Sequence, residues 1–164
     1  MEYFDVYDIN RNSLGYKKAR GESLEEHEYN TGVEIWIFND NKLLLTQGSL
    51  NKSHPGQWEV PGGCSQANET SIMTLTRELK EEINLDINNN YKLLTTQIYK
   101  KQFVDIYTSN ISINFNNIKL QEEEINDIKL VTKEEFINMS KNNEIVNSVL
   151  KRYKKIENLI ENEW

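Results

Sequence analysis

Gly63-Cys64-Ser65-Gln66-Ala67-Asn68-Glu69-Thr70-Ser71-Ile72-Met73-Thr74-Leu75-Thr76-Arg77-Glu78-Leu79-Lys80-Glu81-Glu82-Ile83-Asn84-Leu85 is the stretch on which the reading of this chain turns. Ile72, Met73, Leu75, Leu79 and Ile83 recur at helical spacing, which predicts a helix from Glu69 to Ile83 with Arg77, Glu78, Glu81 and Glu82 on its other faces. Glu78 stands four residues before Glu82 and three before Glu81, so the three share a face. Carboxylates that close repel one another unless a cation joins them. An all-oxygen set of clustered Glu selects a hard ion, Mg²⁺ or Mn²⁺, over zinc. The plain alternative is a solvated acidic face, which is what most charge runs on helices are. Arg77 follows Glu69 by eight residues, about two turns, so the pair can brace the preceding loop against the helix if that loop folds back.

On the N-terminal side of this segment, Trp58-Glu59-Val60 has room for a short strand before Pro61-Gly62-Gly63, and residues 48–56 read as a loop. Val33-Glu34-Ile35-Trp36-Ile37-Phe38 is β-rich, Asn39-Asp40-Asn41 turns the chain, and Leu43-Leu44-Leu45 returns as the other arm of a hairpin. Tyr3 to Tyr7 is strand-like; residues 8–15 read as a polar turn and 17–28 as a charged stretch. On the C-terminal side, strands are expected over 91–99 and 103–115, an acidic loop over 121–126 and a short strand over 128–131. Thr132 with Glu135 three residues on makes a capping box for a short helix through Met139. Ile145, Val149, Tyr153, Ile156 and Ile160 give a final amphipathic helix. Strands around one strong helix, ending in helices, point to a mixed α/β class. We expect one domain over 1–164, with an N-terminal strand and loop extension over about 1–30 and a C-terminal helix over about 143–162.

Charge narrows the partners. There are 26 Asp+Glu against 19 Lys+Arg, a formal net charge of −7, which argues against nucleic acid as a scaffold and against an anionic membrane surface. No apolar run approaches a membrane span, and Met1-Glu2-Tyr3-Phe4-Asp5 has neither the basic start nor the apolar stretch of a secretory signal. A single cysteine, Cys64, excludes an intramolecular disulfide and disfavours a Cys-based zinc site. The expected setting is cytoplasmic. An acidic chain acting on an anion would need a metal ion between itself and its substrate.

The segment quoted above resembles the Nudix box, Gly-x5-Glu-x7-Arg-Glu-apolar-x-Glu-Glu-x-Gly-apolar, at every specified position except Asn84, where the family has Gly. Asn is the next most tolerant residue of the left-handed conformation that ends such a helix, and Asn68, where many relatives carry Gly, is a similar exchange. The resemblance implies an α/β/α sandwich around a central mixed β-sheet, whose box forms a loop–helix–loop that holds Mg²⁺ or Mn²⁺. By position, Glu78 and Glu82 look like the principal metal ligands, with Glu81 a further ligand or a base and Gly63 close to the metal through its backbone. Glu69, Arg77 and Gly62 look structural. The implied reaction is hydrolysis of a phosphoanhydride in a nucleoside diphosphate derivative, by water attack on phosphorus with a carboxylate accepting the proton. In many relatives a Glu ahead of a later strand completes the site. Glu122 and Glu124, on one side of an extended backbone, are the candidates here, with a solvated loop as the bland alternative. The implied partner is a small phosphorylated substrate: a nucleoside triphosphate, a nucleotide sugar, ADP-ribose or a dinucleoside polyphosphate. Homodimers are common in the family.

Residues 2–8, Arg20-Gly21, 28–39 and Pro55-Gly56-Gln57-Trp58 look like a Nudix subgroup related to isopentenyl diphosphate isomerase, which makes that isomerase one alternative and a silent nucleotide-binding module another. The isomerase needs several His ligands and a Cys followed by Gly-His. Here the segment reads Val60-Pro61-Gly62-Gly63-Cys64-Ser65-Gln66, Asn30 stands where the subgroup often has His, and His27 and His54 are the only histidines. A pure binder, for its part, has little reason to keep three mutually repelling Glu. Four residues outside the box are candidates for substrate contact: Arg20 and Lys52 as cations near the site loops, His54 as a phosphate contact or an acid near neutral pH, and Trp58 as a stacking platform. Core packing is the commoner fate of such a Trp.

Overall fold

The computed structural model describes residues 1–164. Its frame is a seven-stranded mixed sheet: β3 (Asn30–Asn39), β4 (Lys42–Gly48), β5 (Trp58–Glu59), β6 (Gly62–Cys64), β7 (Lys92–Tyr99), β8 (Gln102–Asn110) and β9 (Ile125–Val131). The main path runs β5-β4-β3-β8-β7, with β6 added to β3 and β9 to β4. Only β3 and β8 pair in parallel; every other pair is antiparallel.

Strand β3 is buried from Thr31 to Asn39 because helices cover both of its faces. Val33, Ile35 and Ile37 face α1 (Ser71–Ile83) and its Leu75, Leu79 and Ile83. Trp36 and Phe38 face the other way, onto α2 (Lys133–Lys141) and α3 (Asn147–Ile156) through Phe136, Met139, Val149 and Ile156. The fold is thus an α/β/α sandwich, with no helix long and apolar enough to cross a membrane.

Helix α1 begins two residues later than its apolar spacing predicts, at Ser71 rather than Glu69. Thr70 takes the N-cap, its side chain accepting from the Met73 N–H at 3.2 Å, and Glu69 stays in the loop. At the other end Asn84 is left-handed (φ 54°), and the Leu85 N–H reaches back to the Leu79 carbonyl at 3.0 Å. Asn68 is also left-handed, at φ 68°, so both Asn-for-Gly exchanges occupy the conformation that Gly would supply. The capping box of α2 forms as expected from Thr132 and Glu135.

Three expectations need correction. Residues 13–19 are not part of a turn and charged stretch: Ser13–Ala19 is strand β2, antiparallel to β1 (Tyr3–Tyr7) in a separate two-stranded sheet. Its side chains are mostly exposed, so it carries no alternating apolar pattern to read. The strand expected over 103–115 stops at Asn110, where Asn39 Oδ1 accepts from the Ile113 N–H and draws the chain away from the sheet. Residues 121–124 are a turn closed by the Glu124 N–H on the Gln121 carbonyl (2.8 Å), so the alternation argument for Glu122 and Glu124 does not apply there.

Candidate active site

Packing of Leu75, Leu79 and Ile83 against β3 sets the rotation of α1, and that rotation turns Glu78 and Glu82 inward. Their side chains retain 14% and 4% of their surface in water, whereas Glu81 keeps 53%. Strand β6 runs beside the helix. A methyl group built on Gly63 would overlap the Glu78 carboxylate, and one on Gly62 would overlap the Val33 carbonyl of β3. Both glycines are therefore demanded by close approach, one of a carboxylate and one of a neighbouring strand.

Arg77 braces the loop against the helix. Its Nε and Nη2 donate to the two Glu69 oxygens at 2.6 and 2.9 Å, Nη2 also to the Cys64 carbonyl at 3.2 Å, and Nη1 to Glu78 and Glu81 at 3.0 and 3.2 Å. Glu69 additionally accepts from the Gln66 N–H and the Thr74 hydroxyl. These bonds hold its carboxyl below the usual range, the Arg77 bond first among them.

Glu78 and Glu82 are pushed the other way. Burial is the chief cause in both and raises each to about 7, with Arg77 opposing it at Glu78 and Lys52 opposing it at Glu82. Lys52 comes from the loop after β4 and places its ammonium 2.9 Å from Glu82 Oε1 and 2.8 Å from Glu124 Oε2. Burial opposes the charge on Lys52, yet the two carboxylates more than offset this and raise its pKa. No three carboxylates converge on one point in this structure; Arg77 and Lys52 balance their charge instead.

The turn at 121–124 brings Glu124 into this group through Lys52, but turns Glu122 to a separate surface hollow with Leu120, Ile125 and Asn126. Trp58 is 8% exposed and packed in the core with Lys129 lying 4.1 Å over its ring, so it is not free to stack on a ligand. His54 is exposed and its Nδ1 meets only the hydroxyl of Ser53. Arg20 pairs with Glu2 and lines a hollow with Tyr3, Cys64 and Gln66, on the N-terminal hairpin side of β6.

Sequence reasoning missed a second polar group beside the glycines. Glu34, buried within β3, accepts from Arg152 Nε of α3 at 2.6 Å and from Trp36 Nε1 at 2.9 Å. Together with Glu59 and Gln102 they border a cavity of about 160 Å³ that also touches Gly62 and Gly63. The signals were present: Glu34 is a charge inside an apolar strand, and Arg152 sits three residues after Val149 and four before Ile156, on the inward face of its helix.

The NUDIX domain family model matches residues 28–153. Over 154 residues the chain is 31% identical to Nudix hydrolase 3 of Arabidopsis thaliana, covering 84% of itself but only 20% of that longer protein. It is 30% identical over 138 residues to an uncharacterized Nudix hydrolase of Listeria innocua, with 82% of each chain covered. The NUDIX domain of Shewanella oneidensis NrtR, solved in complex with ADP ribose, superposes with a TM-score of 0.65 at 19% identity, over 89% of this chain and 94% of that one.

Proposed function

The chain belongs to the Nudix family, and on that premise we propose that it is a metal-dependent pyrophosphohydrolase cleaving the phosphoanhydride of a nucleoside diphosphate derivative. The observation that carries this reading is the pair Glu78 and Glu82, two carboxylates on one helical face, drawn out of water beside the Gly62-Gly63 backbone. The donors fit a hard divalent ion, Mg²⁺ or Mn²⁺: they are all oxygen, and the Lys52 ammonium seated between Glu82 and Glu124 already stands in for positive charge. On this reading Glu78 and Glu82, helped by Glu81 and the Gly63 backbone, would hold the ion. When bound it would neutralise phosphate oxygens and acidify a water.

The remaining work falls to the chain's own groups. Glu124 is the better-placed base, because it stands at the rim of the carboxylate group, half-exposed, where water can reach it. Glu81 is the second candidate for that role. Lys52, released once its carboxylates bind elsewhere, has an ammonium to offer a phosphate oxygen. Glu69 and Arg77 keep the glycine strand in register with the helix. The ADP ribose in the Shewanella neighbour supports a nucleotide-derived substrate.

The test is a panel of nucleoside triphosphates, nucleotide sugars, ADP-ribose and dinucleoside polyphosphates with Mg²⁺, scored for phosphate or pyrophosphate release. Glu78→Gln and Glu82→Gln should each lower turnover by roughly a hundredfold or more while circular dichroism stays native. Undiminished turnover in EDTA, or in both variants, would refute the reading.

A further inference from the structure

The frame around Lys52 stands without its ion pairs. Three segments meet beside the buried carboxylates: the loop after β4, the turn at 121–124 and the C-terminal half of α1. The Ser49 N–H donates to the Glu124 carbonyl at 2.9 Å, the Ser49 hydroxyl to the Glu123 carbonyl at 2.6 Å, and the Asn51 side-chain amide to that same carbonyl at 3.2 Å. The Gln121 N–H donates to the Glu82 carbonyl at 2.9 Å. These bonds fix how far the loop stands from Glu82. What Lys52 adds is charge.

That charge lies where carboxylates gather. The ammonium is 2.9 Å from Glu82 Oε1 and 2.8 Å from Glu124 Oε2, and it has no third polar partner. Glu59 stands near enough for its own charge to act on both Lys52 and Glu82. A divalent ion on either oxygen of Glu82 would sit beside the ammonium, and with so little water around them their repulsion is weakly screened. The two cations are therefore alternatives. Arg77 is not removable in this way, because its guanidinium is bound to Glu69 and the Cys64 carbonyl as well as to Glu78 and Glu81. Lys52 carries a compact charge on a flexible stem, and Ser53 to Gly56 beyond it are exposed, so the ammonium can swing into water while the backbone stays in place.

We propose that Lys52 is an internal counter-ion that keeps the divalent-ion site closed: its ammonium neutralises Glu82 and Glu124 in the resting protein and must be expelled before an ion can take Glu82. This inference rests on the metal-dependent reading above and specifies how that site is regulated. The buried carboxylates are neutralised in both states, and the Lys52 charge is set free only in the ion-bound one. Ion affinity is accordingly weaker than the carboxylates by themselves would give.

Two measurements test the exchange. In the first, wild type is acylated with the water-soluble succinimidyl ester of acetic acid at fixed pH, in EDTA or at a Mg²⁺ concentration beyond which the melting temperature no longer rises, and each lysine is followed by peptide mass spectrometry. Lys52 should react tenfold or more faster in Mg²⁺, while Lys133, paired with Glu161, reacts at one rate in both. In the second, calorimetry compares Mg²⁺ and Mn²⁺ affinity in wild type and in Lys52→Met, which keeps the stem and removes the charge. The variant should bind the ion tenfold or more tightly, although it melts below wild type in EDTA. Equal shielding of Lys52 with and without Mg²⁺ would overturn the proposal. So would an affinity in Lys52→Met equal to or below that of wild type, which is what a merely structural lysine gives. Should Lys52→Met fail to fold, the acylation rates of wild type decide. The two readings fail separately: an ion bound while Lys52 stays shielded refutes the exchange and leaves the metal site standing, whereas no ion binding by either protein refutes the metal-dependent hydrolase itself.

Discussion

The buried carboxylates predict an unusual pH dependence for the metal-free protein. Glu78 and Glu82 move from an ordinary value of 4.5 to about 7 on folding, chiefly by burial. Between those values the folded chain holds protons that the unfolded chain has released, so stability falls as pH rises. The contribution is fully present below about pH 4.5 and lost as pH climbs through about 7. A shift of that size costs about 3 kcal/mol for one carboxylate once it is ionised. The two are coupled to each other and to Lys52 and Arg77, so together they amount to roughly 4 kcal/mol rather than the double, or a drop of roughly 10 °C in melting temperature for a chain of this length.

The assay is a set of thermal melts from pH 5 to pH 8 in EDTA, on wild type and on the Glu78→Gln/Glu82→Gln double variant. Subtracting one from the other cancels the other titrating groups. A divalent ion binds only the ionised pair, so saturating Mg²⁺ should remove the downward slope, and its stabilising effect should grow from small at pH 5 to large at pH 8. An identical slope in the double variant, or a Mg²⁺ effect as large at pH 5 as at pH 8, would refute the reasoning.

Replacing Arg77 by Ala strips Glu69 of two short hydrogen bonds and the Cys64 carbonyl of a third; the expected loss is about 2–3 kcal/mol, read as a fall in melting temperature. Gly63→Ala drives a methyl group into the Glu78 carboxylate, and should lower turnover tenfold or more while the circular dichroism spectrum is unchanged. Thr132→Ala removes the side-chain half of the α2 capping box and should cost about 1 kcal/mol in denaturant titrations, with turnover preserved.

Features confined to one element were legible in the residues. The α1 face follows from apolar spacing, the Glu69–Arg77 brace from an eight-residue separation, the α2 cap from Thr132 and Glu135, and the left-handed end of α1 from Asn84. Each depends on neighbours within a few positions, where backbone geometry dictates which side chains can meet. Features between elements were not legible. Lys52 meets Glu82 across 30 positions and Arg152 meets Glu34 across 118, and no local spacing encodes which lysine or arginine the sheet order will deliver.

The sequence by itself determined that three glutamates share a helical face, because a 3.6-residue repeat leaves no alternative. The tertiary structure alone decided which of them lose their water. Packing of Leu75, Leu79 and Ile83 on β3 buries Glu82 and most of Glu78 and leaves Glu81 outside. It also decided that Glu59, Gln102 and Arg152, from three separate elements, border one cavity beside Gly62 and Gly63. Desolvation and cross-strand proximity depend on what surrounds a residue in space, and that is set only when the sheet closes between its helices.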